Sequence, residues 1–236
     1  METPVSASFK EKLRIEAAKL REMTFKEKME YIWEYYRYLI IGVLIVLFII
    51  GSLLNTWLVN PPADAALFIS WNAGFVTEEQ FDSLNGVLKE LLINEKENKE
   101  IIISYIPVND TDPTLVMAGL QRTVAMVAAG SIDIFILDAQ LLEHNTNSGF
   151  LRPLESILEE IQAINHTVYA TIKENVSYEL YKIEDDVFSQ RIMGIKIKDS
   201  PLLSELGFYE QELYLGVSIT TGNEENVTKT LIALFD

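Results

Sequence analysis

The chain has 236 residues, 49% of them hydrophobic, and a formal net charge of −16, a length that allows one or two domains and a substantial core. Residues 1–60 hold eight Lys/Arg and seven Asp/Glu, whereas residues 61–236 hold the other 11 Lys/Arg and 28 Asp/Glu, a net of −17. A surface that acidic repels phosphates and anionic lipid, which argues against nucleic acid as a partner, and the absence of cysteine excludes disulfides, thiolate metal sites and cysteine nucleophiles.

The first 38 residues carry two capping boxes, Ser8-x-x-Glu11 and Thr24-x-x-Glu27. They predict a short helix over 9–22 and a second that starts near Phe25 and runs on into an apolar segment. Phe25, Met29, Ile32, Trp33 and Tyr36 fall on one face of that second helix at three- and four-residue spacing. Such a face suits the headgroup region of a membrane or another membrane protein, and Trp33 and Tyr36 are the candidate partner-binding residues. Plain interfacial anchoring is the simpler reading of the two.

From Leu39 to Val59 the sequence "LIIGVLIVLFIIGSLLNTWLV" has no charge over 21 residues. That is enough to cross a hydrocarbon core of ~30 Å at about 1.5 Å per residue. Trp33, Tyr35, Tyr36 and Tyr38 flank one end and Trp57 the other, the placement of interfacial aromatic belts. A signal peptide would be shorter and would end in a small-residue cleavage pattern. Eight Lys/Arg precede the span and none follows before Lys89, so the positive-inside rule puts residues 1–38 in the cytoplasm and 61–236 outside. Asn60-Pro61-Pro62 then ends the helix. The expected organisation is a cytoplasmic amphipathic segment (1–38), a transmembrane helix (39–59), a linker (60–64) and an extracytoplasmic α/β domain (65–236).

Strand and helix signals alternate beyond Ala63. "AALFISW" (65–71) is an apolar run bounded by turn signals, and Thr77 caps a helix with Phe81, Leu84, Leu88 and Leu91 on one face. "IIISYIPV" (101–108) is a second strand; Asp112 and Pro113 look like an N-cap and first-turn proline of a helix ending at Gly130. "IDIFILD" (132–138) is a third strand. The order βαβαβ implies an α/β fold with a mostly parallel sheet, right-handed crossovers and helices on its faces. A later strand (213–219) precedes a last helix that carries Val227, Leu231 and Leu234.

Within residues 120–157, Ala129-Gly130-Ser131 precedes a short strand starting near Asp133, and Gly149 precedes Leu151, Pro153 and Leu154. This stretch resembles the corresponding region of the extracellular solute-binding proteins of bacterial ABC transporters, the sugar-binding type in particular. Ile132 stands where that family usually has proline. Residues 191–235 resemble the return to the first lobe in such proteins, and 158–190 match nothing recognisable. The resemblance implies one lobe of a periplasmic-binding-protein-like fold, non-enzymatic, with a small solute such as a sugar and a transporter permease as partners. Residues 61–236 number 176, which leads us to expect one such lobe and not two.

Motifs for catalysis are sparse. His144 and His166 are the only histidines, and neither lies near a recognisable serine nucleophile motif; no phosphate-binding glycine loop, His-Glu-x-x-His or dinucleotide fingerprint occurs. The acidic pairs Asp185–Asp186 and Glu159–Glu160 read as solvated surface, and "NDTDP" (109–113) reads as an N-cap turn rather than a calcium loop. No enzyme activity, cofactor or metal is expected. In open α/β sheets ligands sit outside the carboxyl ends of the strands, here Trp71–Asn72, Asn109–Asp110, Asp138–Gln140 and Thr220–Thr221. The candidate ligand-binding residues are therefore Trp71 as a stacking platform, with Asn72, Asp110, Asp138 and Gln140 as hydrogen-bonding groups. Core packing is the competing reading for Trp71, and helix capping for Asp138. The expected function is a membrane-anchored solute-binding-like component of a bacterial transport system. The alternative is a non-enzymatic interaction subunit of a membrane complex without a small-molecule ligand.

Overall fold

The computed structural model describes residues 24–59, 62–74, 76–94, 97–108, 112–184, 187–208 and 212–236. The helix expected over 9–22 and Asp110 lie outside these residues. The chain divides into two compact units, Met1–Pro62 and Ala63–Asp236.

In the first unit one helix, α1, runs from Phe25 to Leu54 and closes in a π-helical turn, Asn55–Val59. Its start is set locally by a capping box, in which the Thr24 N–H and Oγ1 donate to Glu27 Oε2 at 2.8 and 2.7 Å. Those hydrogen bonds from Thr24 hold the Glu27 carboxyl below the ordinary carboxylate value. Residues Trp33–Leu58 form a 26-residue stretch whose most apolar 18 residues have a mean hydropathy of 2.6, long and apolar enough to span a membrane.

The second unit is α/β, a six-stranded sheet flanked by helices, in the strand order β2-β1-β3-β6-β5-β4. Strand β1 (Asp64–Trp71) is buried from Ala66 onward, β3 (Ile134–Leu137) throughout, and β2 (Lys99–Tyr105) forms one edge. Continuous burial of this kind requires cover on both faces. Helix α2 (Glu78–Leu92) connects β1 to β2, and α3 (Pro113–Ala128) connects β2 to β3. The two crossovers step in opposite directions along the sheet, so right-handed connections place the helices on opposite faces. Thr77 and Asp112 cap these helices through side-chain oxygens, and Leu84 and Leu88 of α2 are buried, whereas Leu91 is exposed.

Two glycines explain how α3 fits. Gly130 has φ +65°, and the N–H groups of Gly130 and Ser131 donate to the carbonyls of Val127 and Met126. That is the left-handed helix stop that residues with a Cβ adopt poorly. A Cβ at Gly119 would meet the Pro107 carbonyl oxygen at 2.1 Å, so α3 lies closer to the preceding loop than any other residue permits.

Among the described residues parallel pairing is confined to β2–β1–β3; β6 (Tyr214–Val217), β5 (Val187–Lys196) and β4 (Val176–Glu184) run antiparallel to their neighbours. The sheet is therefore mixed, because β4 and β5 form a hairpin, whose strands must oppose. Among the described residues β5 joins β6 only at Ile195–Leu215 and Lys196–Tyr214, and most of the hairpin ladder has no third strand there. Helix α4 (Ala139–Asn147) leans on its base, with Leu142 against Gly194. Helices α5 (Glu155–Ile164) and α6 (His166–Glu174), the short α7 (Pro201–Glu205) and α8 (Glu224–Phe235) complete the cover.

Candidate functional site

The carboxyl ends of β1 and β3 lie side by side, and the side chains there serve the fold. Trp71 is 1% exposed. Its Nε1–H donates to the Ala73 carbonyl at 2.7 Å, and its ring lies 5.5 Å from Phe81, edge-on, and 5.3 Å from Phe208, stacked. Aromatic partners and a satisfied indole N–H make it a core residue. This corrects its placement as an open stacking platform, because α2 and the segment after α7 supply rings that cover it. Asn72, 2% exposed, accepts from Ser70 Oγ at 2.9 Å and donates to the Ile106 carbonyl at 3.2 Å. Its backbone N–H donates to Ile136 O. It ties β1 to the ends of both neighbouring strands, so its polar atoms are turned inward.

Asp138 caps α4, its Oδ1 accepting the Leu141 N–H at 2.8 Å, and retains partial exposure; Gln140 is exposed in the first turn of the same helix. The structure thus keeps Asp138 and Gln140 accessible and withdraws Trp71 and Asn72. Thr220 and Thr221 do not join them. β6 is antiparallel, with Val217 opposite Ile134, so its carboxyl end lies at the other end of the sheet.

There the structure assembles a polar knot that strand-end reasoning missed. Asp133 is 1% exposed; its Oδ2 accepts the Phe68 N–H at 2.8 Å, and its Oδ1 accepts from Thr221 Oγ1 at 2.5 Å. Asn223 Nδ2 donates to both carboxylate oxygens, at 3.3 and 3.2 Å. A buried carboxylate is tolerable only with such partners. The group joins the middle of β1, the entrance of β3 and the turn before α8. The only sequence signal for it was an aspartate preceding an apolar strand.

The Gly149–Leu154 segment is likewise structural. Leu151 bridges to Ser218, the Arg152 N–H donates to Val217 O, and the Arg152 guanidinium pairs with Glu224. A cavity beside Trp71, between the sheet, α2 and α8, measures about 10 Å³ and is lined chiefly by apolar side chains, Leu84, Leu88, Ile134 and Leu234 among them. That is at the lower limit for one water, which would also need polar partners, and far below the ~300 Å³ of a ligand pocket. Among the described residues no group of three or more His, Asp or Glu converges on a metal-sized site. His144 is exposed on α4, and His166 opens α6 with its ring 6.2 Å from Tyr169.

In the first unit Trp33 is 61% exposed and Tyr36 is partly so. The Tyr31 ring lies 4.7 Å from that of Tyr35 and 6.5 Å from that of Tyr36, and Arg37 sits over the Tyr38 ring at 4.8 Å. These aromatics form a collar at one end of the apolar span.

No family model matches the chain, and no curated protein matches it. Among solved structures, an extracellular solute-binding protein of family 1 from Alicyclobacillus acidocaldarius aligns over 58% of this chain and 28% of its own, at 14% identity and a TM-score of 0.33. The chain thus matches less than a third of that protein's length, a distant structural resemblance.

Proposed function

We propose that the chain is a single-pass membrane protein holding a non-catalytic α/β module outside the cytoplasm, as an interaction subunit of a membrane assembly. One observation carries this reading: the polar groups at the sheet's expected ligand edge are largely used internally, while an apolar span and its aromatic collar stand exposed. The organisation proposed with it is 1–38 cytoplasmic, 39–59 in the membrane, 60–64 linker and 65–236 outside. The eight-to-none Lys/Arg imbalance across the span supports that orientation. The sequence likeness of residues 120–157 to solute-binding proteins suggests a bacterial transport system as the assembly, with a permease as partner and Trp33 and Tyr36 as the docking residues.

The test is co-purification of the full chain from gentle detergent, identification of the partner, and its loss on joint Trp33→Ala and Tyr36→Ala substitution. Retention of the partner by the double variant assigns the collar to lipid anchoring alone. For topology, protease added to wall-stripped cells should remove an epitope at Asp236 and spare one at Met1; the reverse pattern overturns the orientation.

Solute capture is the second reading, favoured by the accessibility of Asp138 and Gln140 at a strand end. Thermal-shift screening of the full chain against sugars, peptides and ions tests it. No stabilisation at millimolar concentration counts against it; a hit abolished by Gln140→Ala would displace the interaction-only reading.

A further inference from the structure

We infer that β2 is the interface of a two-fold homodimer, in which the β2 strands of two copies pair antiparallel and join their sheets. β2 ends the sheet, and from Ile101 to Tyr105 it has no charge, proline or bulge on its own side. Soluble domains use those devices to keep an edge from pairing. The Ile106 N–H donates to Trp71 O and Asn98 O accepts from the Asp64 N–H. Even-numbered residues of β2 therefore turn their backbone toward β1, and Lys99, Ile101, Ile103 and Tyr105 turn theirs outward; of these, the Ile101 carbonyl accepts from Asn85 Nδ2 at 2.9 Å and keeps its second lone pair for a partner strand.

Charge complementarity selects the partner and the register. Arg122 of α3 donates to Ser104 Oγ at 3.2 Å and has no carboxylate partner among the described residues. Glu100 is exposed and lies on the same face of β2 as Ser104, two strand periods away. Antiparallel pairing about Ile102 sets Ile101 against Ile103 and places Glu100 of each copy opposite Ser104 of the other. Directly opposite residues have Cβ atoms about 5 Å apart on one face, so each Glu100 meets an Arg122 across the two-fold axis. Shifting the axis to Ile103 would instead set Glu100 against Ile106, beyond the strand's end. Leu115, 48% exposed on the Arg122 side of α3, extends the same contact, and Tyr105, 48% exposed, does so on the opposite face of the strand. A self-complementary strand with its counter-ions built in fits a second copy, because an isologous interface must match itself.

The chain contains no cysteine, so an introduced one is its sole thiol. At the axis, Ile102 faces itself as a non-hydrogen-bonded pair with Cα atoms about 4.5 Å apart, within disulfide reach. Under mild oxidation in native membranes, full-length Ile102→Cys should form a covalent dimer, and Glu225→Cys should not. Mixing tagged Glu100→Cys with untagged Ser104→Cys should give a heterodimer that neither yields alone; Glu100 is exposed and Ser104 differs from Cys by one atom, so this pair covers the case in which Ile102→Cys fails to fold. In detergent, Arg122→Glu should weaken association about tenfold, the combined effect of two symmetry-related surface pairs, and adding Glu100→Arg should restore it. Cross-linking at Glu225 equal to that at Ile102 would overturn the proposal. So would the absence of the 100–104 heterodimer, or failure of the double charge reversal to restore association.

Discussion

β1 and β4 are strands of similar length, eight and nine residues, with opposite fates. β1 has a neighbour on each side and is buried from Ala66 to Trp71, whereas β4 is an edge with Leu180 60% exposed. The cause is connectivity more than composition. Parallel strands need long crossovers, and each crossover delivers a helix to a face of the sheet. The β4–β5 hairpin turns back directly and brings no helix with it. What covers a strand is thus decided by what joins it to the next.

The contrast is broken most readily at Trp71. Trp71→Ala should cost about 3–5 kcal/mol, as expected for a large side chain removed from a core, measured by urea unfolding of the full chain in detergent. A loss below about 1 kcal/mol would mean that the ring is not core and would return it to the ligand-binding candidates. Asp133→Ala should cost about 3 kcal/mol, because the Phe68 N–H and two side-chain donors lose a buried acceptor. Asp133→Asn should cost less, since its carbonyl oxygen can still accept the Phe68 N–H, and amide exchange at Phe68 separates the two variants.

The hairpin should respond weakly and with a pH dependence of known sign. Burial raises the Glu179 carboxyl above its ordinary value, with a further contribution from the Glu143 charge. An acid with a raised folded pKa binds more protons in the folded state, so it lowers stability as pH rises through and above the ordinary carboxylate range. Glu179→Gln should therefore stabilise the protein at pH 7, by less than about 1 kcal/mol, and lose that advantage near pH 4. Melting curves at the two pH values decide it; an equal gain at both would assign the effect to packing. Leu180→Ser should shift stability by no more than about 0.5 kcal/mol, and a larger loss would show that the exposed face of the hairpin is covered in solution.

The elements of the parallel half were legible because their signals are local. Thr77, Asp112-Pro113 and Gly130 act within one helical turn, and each marks the boundary that the structure shows. The site was less legible. A tryptophan at a strand end reads equally as a stacking surface or as core, and only Phe81 and Phe208 decide between them. The antiparallel sense of β6 was hidden too, because no residue within 214–217 records the direction of its neighbour.

By itself the sequence determined the apolar span, the charge difference across it, the caps, and the order of strands and helices up to β3. All of these depend on neighbours a few residues apart, through periods of two or 3.6 residues and hydrogen bonds to the nearest free backbone groups. The tertiary structure decided the burial of Trp71, the mixed sheet, the place of β2 at the sheet's edge and the use of Asp133. Asp133 draws its donors from positions 65, 88 and 90 residues away. Whether such a carboxylate is a buried tie or a ligand group depends on what the folded chain brings to it, since desolvation and hydrogen bonding act through space and not along the sequence.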